Sequence, residues 1–99
     1  MVPEKSNIVP SEFIIVGGTG NLSKSKILPA LFWRFLDNQI DAQSNIILCD
    51  KYINSKKDFF LELQSNCNKA IKSEDNNLEN WNNFIKIILM TYGVFNRDH

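Results

Sequence analysis

The stretch FIIVGGTGNLSKSKILPALF, residues 13–32, joins an apolar run, a cluster of glycines and an amphipathic segment. Residues 13–16 are β-branched or aromatic, the pattern of a strand buried in a parallel sheet with helices on both faces. After the glycines, apolar residues recur at helical spacing behind Asn21, a good helix N-cap, and Pro29 inside this pattern predicts a kink. The stretch therefore predicts a strand, a tight turn and a helix.

Three interpretations of the glycine loop remain open on its spacing. It is an ordinary strand-to-helix turn, or a P-loop, since residues 18–25 read G-x-x-x-x-S-K-S, one glycine short of the usual pattern. It is otherwise a dinucleotide-binding loop, since residues 18–23 nearly fit G-x-G-x-x-[GA] in a strand–turn–helix context. In the last two, the helix N-terminus attracts phosphate, and a lysine at position 24 or 26 adds positive charge.

The rest of the chain repeats the alternation of strand and helix. Residues 45–49 and 87–90 are short apolar runs that predict two more buried strands. Between them, Ser55 and Asp58 resemble a capping box before an apolar stripe, and a segment with Leu78, Trp81 and Phe84 predicts a short helix or turn. The order β-α-β-α-(α)-β predicts an α/β fold: half of a doubly wound Rossmann-type parallel sheet (βαβαβ), with the second half and a substrate domain absent.

Composition limits the domain organisation and the partners. The chain has 99 residues, 43% of them hydrophobic, and a formal net charge of zero, so we expect one small domain and no nucleic-acid or membrane partner. We expect residues 1–12 to be a flexible leader without a signal peptide and residues 13–99 to be a partial NAD(P)-binding Rossmann domain. The expected location is cytoplasmic. The two cysteines lack metal-ligand spacing, so no metal site is expected.

The end of the second strand carries an acidic and a basic residue side by side. In a dinucleotide-binding sheet, an acidic residue here binds the ribose 2′-hydroxyl of NAD, and a basic one accepts the 2′-phosphate of NADP. Asp50 and Lys51 offer both, so the residues themselves leave the choice open.

These residues together resemble the N-terminal coenzyme domain of the glucose-6-phosphate dehydrogenase family. That family opens with G-x-x-G-D-L-A-x-x-K-L-x-P-[AS]-[LV], and residues 17–31 here read GGTGNLSKSKILPAL, including the proline. The likeness continues at the second strand, IILCDK, residues 46–51, and at the helix start that follows, residues 55–59. Around the third strand it includes Trp81, Phe84 and residues 93–95. The resemblance thus extends over nearly the whole chain.

The resemblance implies a role for each matching residue. The loop that contacts the coenzyme pyrophosphate would comprise Gly17, Gly18, Thr19 and Gly20, and Asn21 and Leu22 directly after it would also bind the cofactor. Lys26 matches a lysine between the coenzyme and the sugar phosphate, and Lys51 stands where the family has an arginine for the 2′-phosphate. Asp50 replaces a small residue, and its carboxylate would repel that phosphate. The implied cofactor is NADP, with NAD possible.

The resemblance also implies an activity that this stretch does not complete. The family oxidises glucose 6-phosphate to 6-phosphogluconolactone in the pentose phosphate pathway, with an E-K-P motif and a histidine motif that have no match here. We therefore assign no catalytic residue and expect the chain alone to be inactive, with glucose 6-phosphate a partner only if the missing half is supplied. The alternative is a non-catalytic remnant that binds a nucleotide weakly or pairs with another subunit, or with itself, through an exposed strand edge.

Overall fold

A computed structural model describes residues 10–51 and 55–92 of the chain. Its strands are β1 (Glu12–Val16), β2 (Asn45–Asp50) and β3 (Ile88–Tyr92); a π-helical segment (Ser23–Ile27) runs directly into α1 (Leu28–Leu36), and α2 (Lys56–Ala70) and α3 (Leu78–Ile85) follow β2. The predicted order of strands and helices is confirmed. Residues 1–9 of the predicted leader and the family match at residues 93–95 lie outside the described residues.

The three strands form one parallel sheet in the order β1-β2-β3. Ile14 pairs with Ile47, which pairs with Leu89, so these side chains share one face of the sheet. β1 begins at Glu12, the last residue of the predicted leader. Just before the strand, the Ser11 N–H donates a hydrogen bond to the Ser44 hydroxyl at 2.9 Å.

Helices cover one face of the described sheet, not both as the sequence predicted. Ile46 and Leu48 of β2 are fully buried under the helices, whereas Ile14 and Val16 are 64% and 75% exposed on the opposite face. The strand order explains the difference, because two successive right-handed crossovers in the same direction place both connections on the same side of a sheet. Helices therefore cover only one of the two apolar faces of β1.

Aromatic rings fill the space between the helices and the sheet. Phe32 of α1 lies with its ring centroid 5.3 Å from Trp81 and 4.8 Å from Phe84, both on α3. Phe35 reaches the Phe84 ring at 5.4 Å. These offset and edge-on pairs are favourable ring geometries, and they fix α3 against α1 at the centre of the core.

A π-helical turn accommodates the proline. The Leu28 N–H donates to the Ser23 carbonyl, five residues back, and Pro29 then enters the first turn of α1, where its missing N–H costs least. The predicted disturbance at Pro29 is present, in the form of a widened turn. Asn21 does not cap this helix as predicted: the carbonyl of Gly20 accepts the first bond, from the Lys24 N–H at 3.0 Å, and Asn21 lies inside the helix.

The second crossover follows its sequence signals closely. The Ser55 hydroxyl accepts a hydrogen bond from the Asp58 N–H at 3.1 Å, which confirms the predicted N-cap of α2. The apolar stripe of α2 lies on the core, where burial raises the pKa of the Cys67 thiol to about 12. On α3, Trp81 and Phe84 are buried as predicted, but Leu78 is 66% exposed.

Two truncations to alanine on α3 should differ sharply in their effect on stability. Phe84→Ala is expected to lower the free energy of unfolding by about 3–5 kcal/mol, because it empties the site where three aromatic rings meet. Leu78→Ala on the same helix is the matched control and should stay within about 0.5 kcal/mol of the wild type, since its side chain is largely exposed. Urea unfolding followed by tryptophan fluorescence measures both, and equal losses would contradict this description of the core.

Candidate functional site

The glycine turn is fixed to the end of the neighbouring strand. Gly17 and Gly18 donate their N–H groups to the carbonyl of Cys49, at 2.7 and 3.3 Å, and Gly20 donates to the Gly17 carbonyl at 3.0 Å. These bonds place the turn at the carboxyl ends of β1 and β2. In parallel α/β sheets that edge is where ligands bind.

The structure constrains the three glycines to different degrees. Gly17 has a φ of +71°, which strains any residue with a side chain. A Cβ on Gly18 would lie 2.6 Å from the Leu48 Cβ and 2.8 Å from its Cα, so the loop rests directly on β2. A Cβ on Gly20 would meet only the Gly17 carbonyl, at 3.3 Å. The fold thus requires glycine at positions 17 and 18, whereas a side chain at Gly20 would need the loop to shift by a few tenths of an ångström.

The first helical turn presents main-chain N–H groups beyond the glycines. The N–H groups of residues 21–23 precede the first intrahelical bond, so by helix geometry they have no helical acceptor. Asn21 and Leu22 are exposed, whereas Ser23 is almost fully buried and its hydroxyl has no partner among the described residues. Ser23 occupies the last position of the G-x-G-x-x-[GA] pattern, where a small residue lets the helix pack closely on the sheet.

The two lysines after the loop have different surroundings. The Lys24 ammonium forms an ion pair with Glu62 of α2, and the Asn66 amide donates to the Lys24 carbonyl at 3.1 Å. A P-loop needs its lysine free to reach phosphate, so this pairing argues against that interpretation. Lys26 is exposed and lines an open cavity of about 620 Å³ with Pro29 and Trp33; within residues 10–51 and 55–92 no hydrogen bond or ion pair joins it to the glycine loop.

The structure brings together Asp50 and Thr19, two of the candidate site residues. One Asp50 carboxylate oxygen accepts from the Thr19 hydroxyl at 2.5 Å and from the Thr19 N–H at 3.2 Å. The other accepts from the Lys51 N–H at 3.0 Å, while the Lys51 side chain is exposed. The carboxylate therefore bridges the glycine loop and the end of β2.

These donors hold the Asp50 carboxylate in its ionised form. The hydroxyl of Thr19 is the largest cause that lowers the pKa of Asp50 below its ordinary 3.8; partial burial opposes it, and the N–H groups of Thr19 and Lys51 reinforce it. The site thus carries a fixed negative charge at neutral pH beside a loop whose main-chain donors favour anions.

Other features of the described residues lie away from the loop. An open cavity of about 860 Å³, lined by Phe35, Ile40 and Lys86, is at the opposite end of the sheet. No cluster of three or more metal-ligating side chains occurs within residues 10–51 and 55–92. In the same ranges, no helix has the length and apolar character needed to cross a membrane.

The sequence analysis missed the residues that support the loop from other elements. Glu62 and Asn66 hold the π-helical segment from α2, yet nothing in the pattern of α2 distinguishes them from other exposed polar residues. Cys49 and Leu48, in contrast, had a usable signal, because they end the strand beside which a glycine loop must pass.

Acid should weaken this part of the structure through Asp50. A folded-state pKa below 3.8 means that the contribution of Asp50 to stability is present above that value and is lost as pH falls through the folded pKa. The wild type should therefore lose more free energy of unfolding than Asp50→Asn between about pH 5 and pH 2. Thr19→Val is the control, since it removes the hydroxyl and should shrink the same pH dependence. Identical urea-unfolding profiles for the wild type and Asp50→Asn would contradict the assignment.

Comparison with known proteins agrees with this geometry. A family model described as glucose-6-phosphate dehydrogenase, NAD binding domain, matches residues 14–99. A glucose-6-phosphate 1-dehydrogenase of Mycolicibacterium smegmatis (strain ATCC 700084 / mc(2)155) is 45% identical over 42 residues, which are 42% of this chain and 8% of that protein.

Two solved structures share the fold. A glucose-6-phosphate dehydrogenase in complex with its substrate glucose-6-phosphate superimposes with a TM-score of 0.74 at 21% identity, over 93% of this chain and 19% of that chain. The glucose-6-phosphate 1-dehydrogenase from Mycobacterium avium gives 0.68 at 13% identity, over 86% and 18%. The chain thus spans about a fifth of the length of these structures. On the family match across nearly all of its length, this chain belongs to the glucose-6-phosphate dehydrogenase family, within its NAD binding domain.

Proposed function

We propose that this chain binds a nicotinamide adenine dinucleotide, with the pyrophosphate on the loop from Gly17 to Leu22. The observation that carries the proposal is Gly20: it is exposed, the fold constrains it less than Gly17 or Gly18, and the dinucleotide motif needs a glycine there so that the main chain can approach the pyrophosphate. The N–H groups at the start of the helix then supply donors and the positive end of the helix dipole.

The complete activity we propose is the oxidation of glucose 6-phosphate to 6-phosphogluconolactone, a cytoplasmic step of the pentose phosphate pathway. This chain would contribute the coenzyme-binding part, with no catalytic residue of its own. Lys26, exposed one turn beyond the loop, would lie between the coenzyme and the sugar phosphate. The family resemblance implies NADP, with NAD possible, and Lys51 is the residue that would attract a 2′-phosphate.

A second candidate function rests on the bare face of the sheet. Ile14, Val16 and Leu89 are 64%, 75% and 47% exposed on that face, and β1 is the edge strand of the described sheet. Such a surface pairs readily with other protein. The chain would then be a non-catalytic remnant that pairs with another subunit, or with itself, and binds a nucleotide weakly.

Gly20→Ser should separate ligand binding from folding. Serine is a better helix N-cap than glycine, which offsets the close contact that its Cβ would make with the Gly17 carbonyl, so the free energy of unfolding should change by less than about 1 kcal/mol. Its side chain would occupy the approach to the main chain, and the affinity for dinucleotide should fall by about tenfold or more. Isothermal titration calorimetry with NADP and with NAD measures the affinity.

The matched control is Ala42→Ser, which adds a hydroxyl to an exposed turn residue at the opposite end of the sheet. It should leave both affinity and stability close to those of the wild type. Retained affinity in a folded Gly20→Ser variant would remove the loop from the proposed site.

The mass of the endogenous protein distinguishes the two candidate functions. An antibody against residues 55–80 would isolate the product, and intact mass spectrometry would size it. A product several times heavier than the 11.4 kDa of this chain is expected if these residues are the coenzyme-binding part of a dehydrogenase. A product of 11.4 kDa without a co-purified dehydrogenase partner would favour the remnant.

A further inference from the structure

We infer that Asp50 makes this site select NAD over NADP, because its carboxylate already occupies the donors that a 2′-phosphate would need. The inference rests on the proposed dinucleotide binding and names the form of the dinucleotide. It departs from the NADP preference that the family resemblance implies.

The donors at this corner of the site are taken up within the chain. Thr19 offers its hydroxyl and its N–H, and Asp50 accepts both, at 2.5 and 3.2 Å. The Lys51 N–H donates to the same carboxylate at 3.0 Å. A phosphate that approached these three donors would have to displace the carboxylate, and it would bring a second negative charge against the first. Like charges placed together in this way strongly disfavour a ligand.

A ribose hydroxyl, in contrast, can donate a hydrogen bond to the same carboxylate. An ionised carboxylate accepts about four hydrogen bonds, and three donors are already in place, which leaves room for one more. The 2′-hydroxyl of NAD is a donor of the right kind, and a hydrogen bond to a charged acceptor is a strong one. Near neutral pH the 2′-phosphate of NADP is mostly fully deprotonated, so it rarely has a proton to donate.

Lys51 opposes this preference too weakly to reverse it. Its side chain is exposed, and no ion pair to it is present among the described residues. A solvated, flexible ammonium contributes little at ordinary salt. Asp50, in contrast, is held by three hydrogen bonds, two from Thr19 of the loop and one from the Lys51 N–H. The fixed carboxylate therefore determines the preference.

Calorimetric titration of the polypeptide with NAD and with NADP tests the inference directly. The wild type should bind NAD at least about tenfold more tightly. The pair 5′-AMP and 2′,5′-ADP, which differ only in the 2′-phosphate, should show the same order and requires no variant. In Asp50→Asn, which keeps the size and an acceptor oxygen but loses the charge, the preference should fall by about tenfold or reverse. Asp50→Ala provides a second, shorter replacement, and circular dichroism verifies that each variant is folded.

Glu12→Gln is the matched control, because it removes one negative charge from an exposed residue at the other end of β1. The ratio of the NAD and NADP affinities should not change in this variant. A wild type that binds NADP as tightly as NAD, or a folded Asp50→Asn that keeps the full NAD preference, would overturn the inference and leave dinucleotide binding in place. Binding of neither dinucleotide would remove the proposed function together with the inference.

Discussion

The two hydrogen bonds from Gly17 and Gly18 to the Cys49 carbonyl set the position of everything else at the site. They are possible because Gly18 has no Cβ: any side chain there would collide with the main chain and Cβ of Leu48. With the loop pressed onto β2, the helix that follows starts directly above the end of the sheet. The same contact brings Thr19 within reach of Asp50, so the loop and its charged neighbour are fixed by one close approach.

The sequence allowed the elements to be predicted where the signals were local. The apolar runs gave the strands, and Ser55 with Asp58 gave the start of α2, because each depends on residues a few positions apart. The predicted cap at Asn21 was wrong, since Gly20 begins the helix one residue earlier. The prediction of helices on both faces was also wrong for the described sheet, because the apolar pattern of a strand does not tell which face its own crossovers will cover.

The sequence named candidate residues for the site, but it could not give the contacts between them. The glycine motif and the end of the second strand placed Thr19 and Asp50 near each other, because carboxyl ends of parallel strands share an edge. The hydrogen bonds between them join residues 31 positions apart, and the Lys24–Glu62 pair joins residues 38 apart. Such pairings depend on how helices dock, and no local pattern encodes them. The structure was therefore needed to show that Lys24 is paired with Glu62.

The widened turn before Pro29 has a consequence for which side chains face the core. The buried positions along this helix are Ser23, Leu28, Pro29 and Phe32; Ser23 and Leu28 are five residues apart, and Leu28 and Phe32 are four apart. A regular α-helix would continue the step of four backward from Leu28 and direct Lys24 into the sheet. The extra residue shifts the phase of the helix, so that a small serine meets the sheet and the lysine turns toward Glu62. One inserted position thus lets a charged first turn and an apolar, core-facing remainder share a single helix.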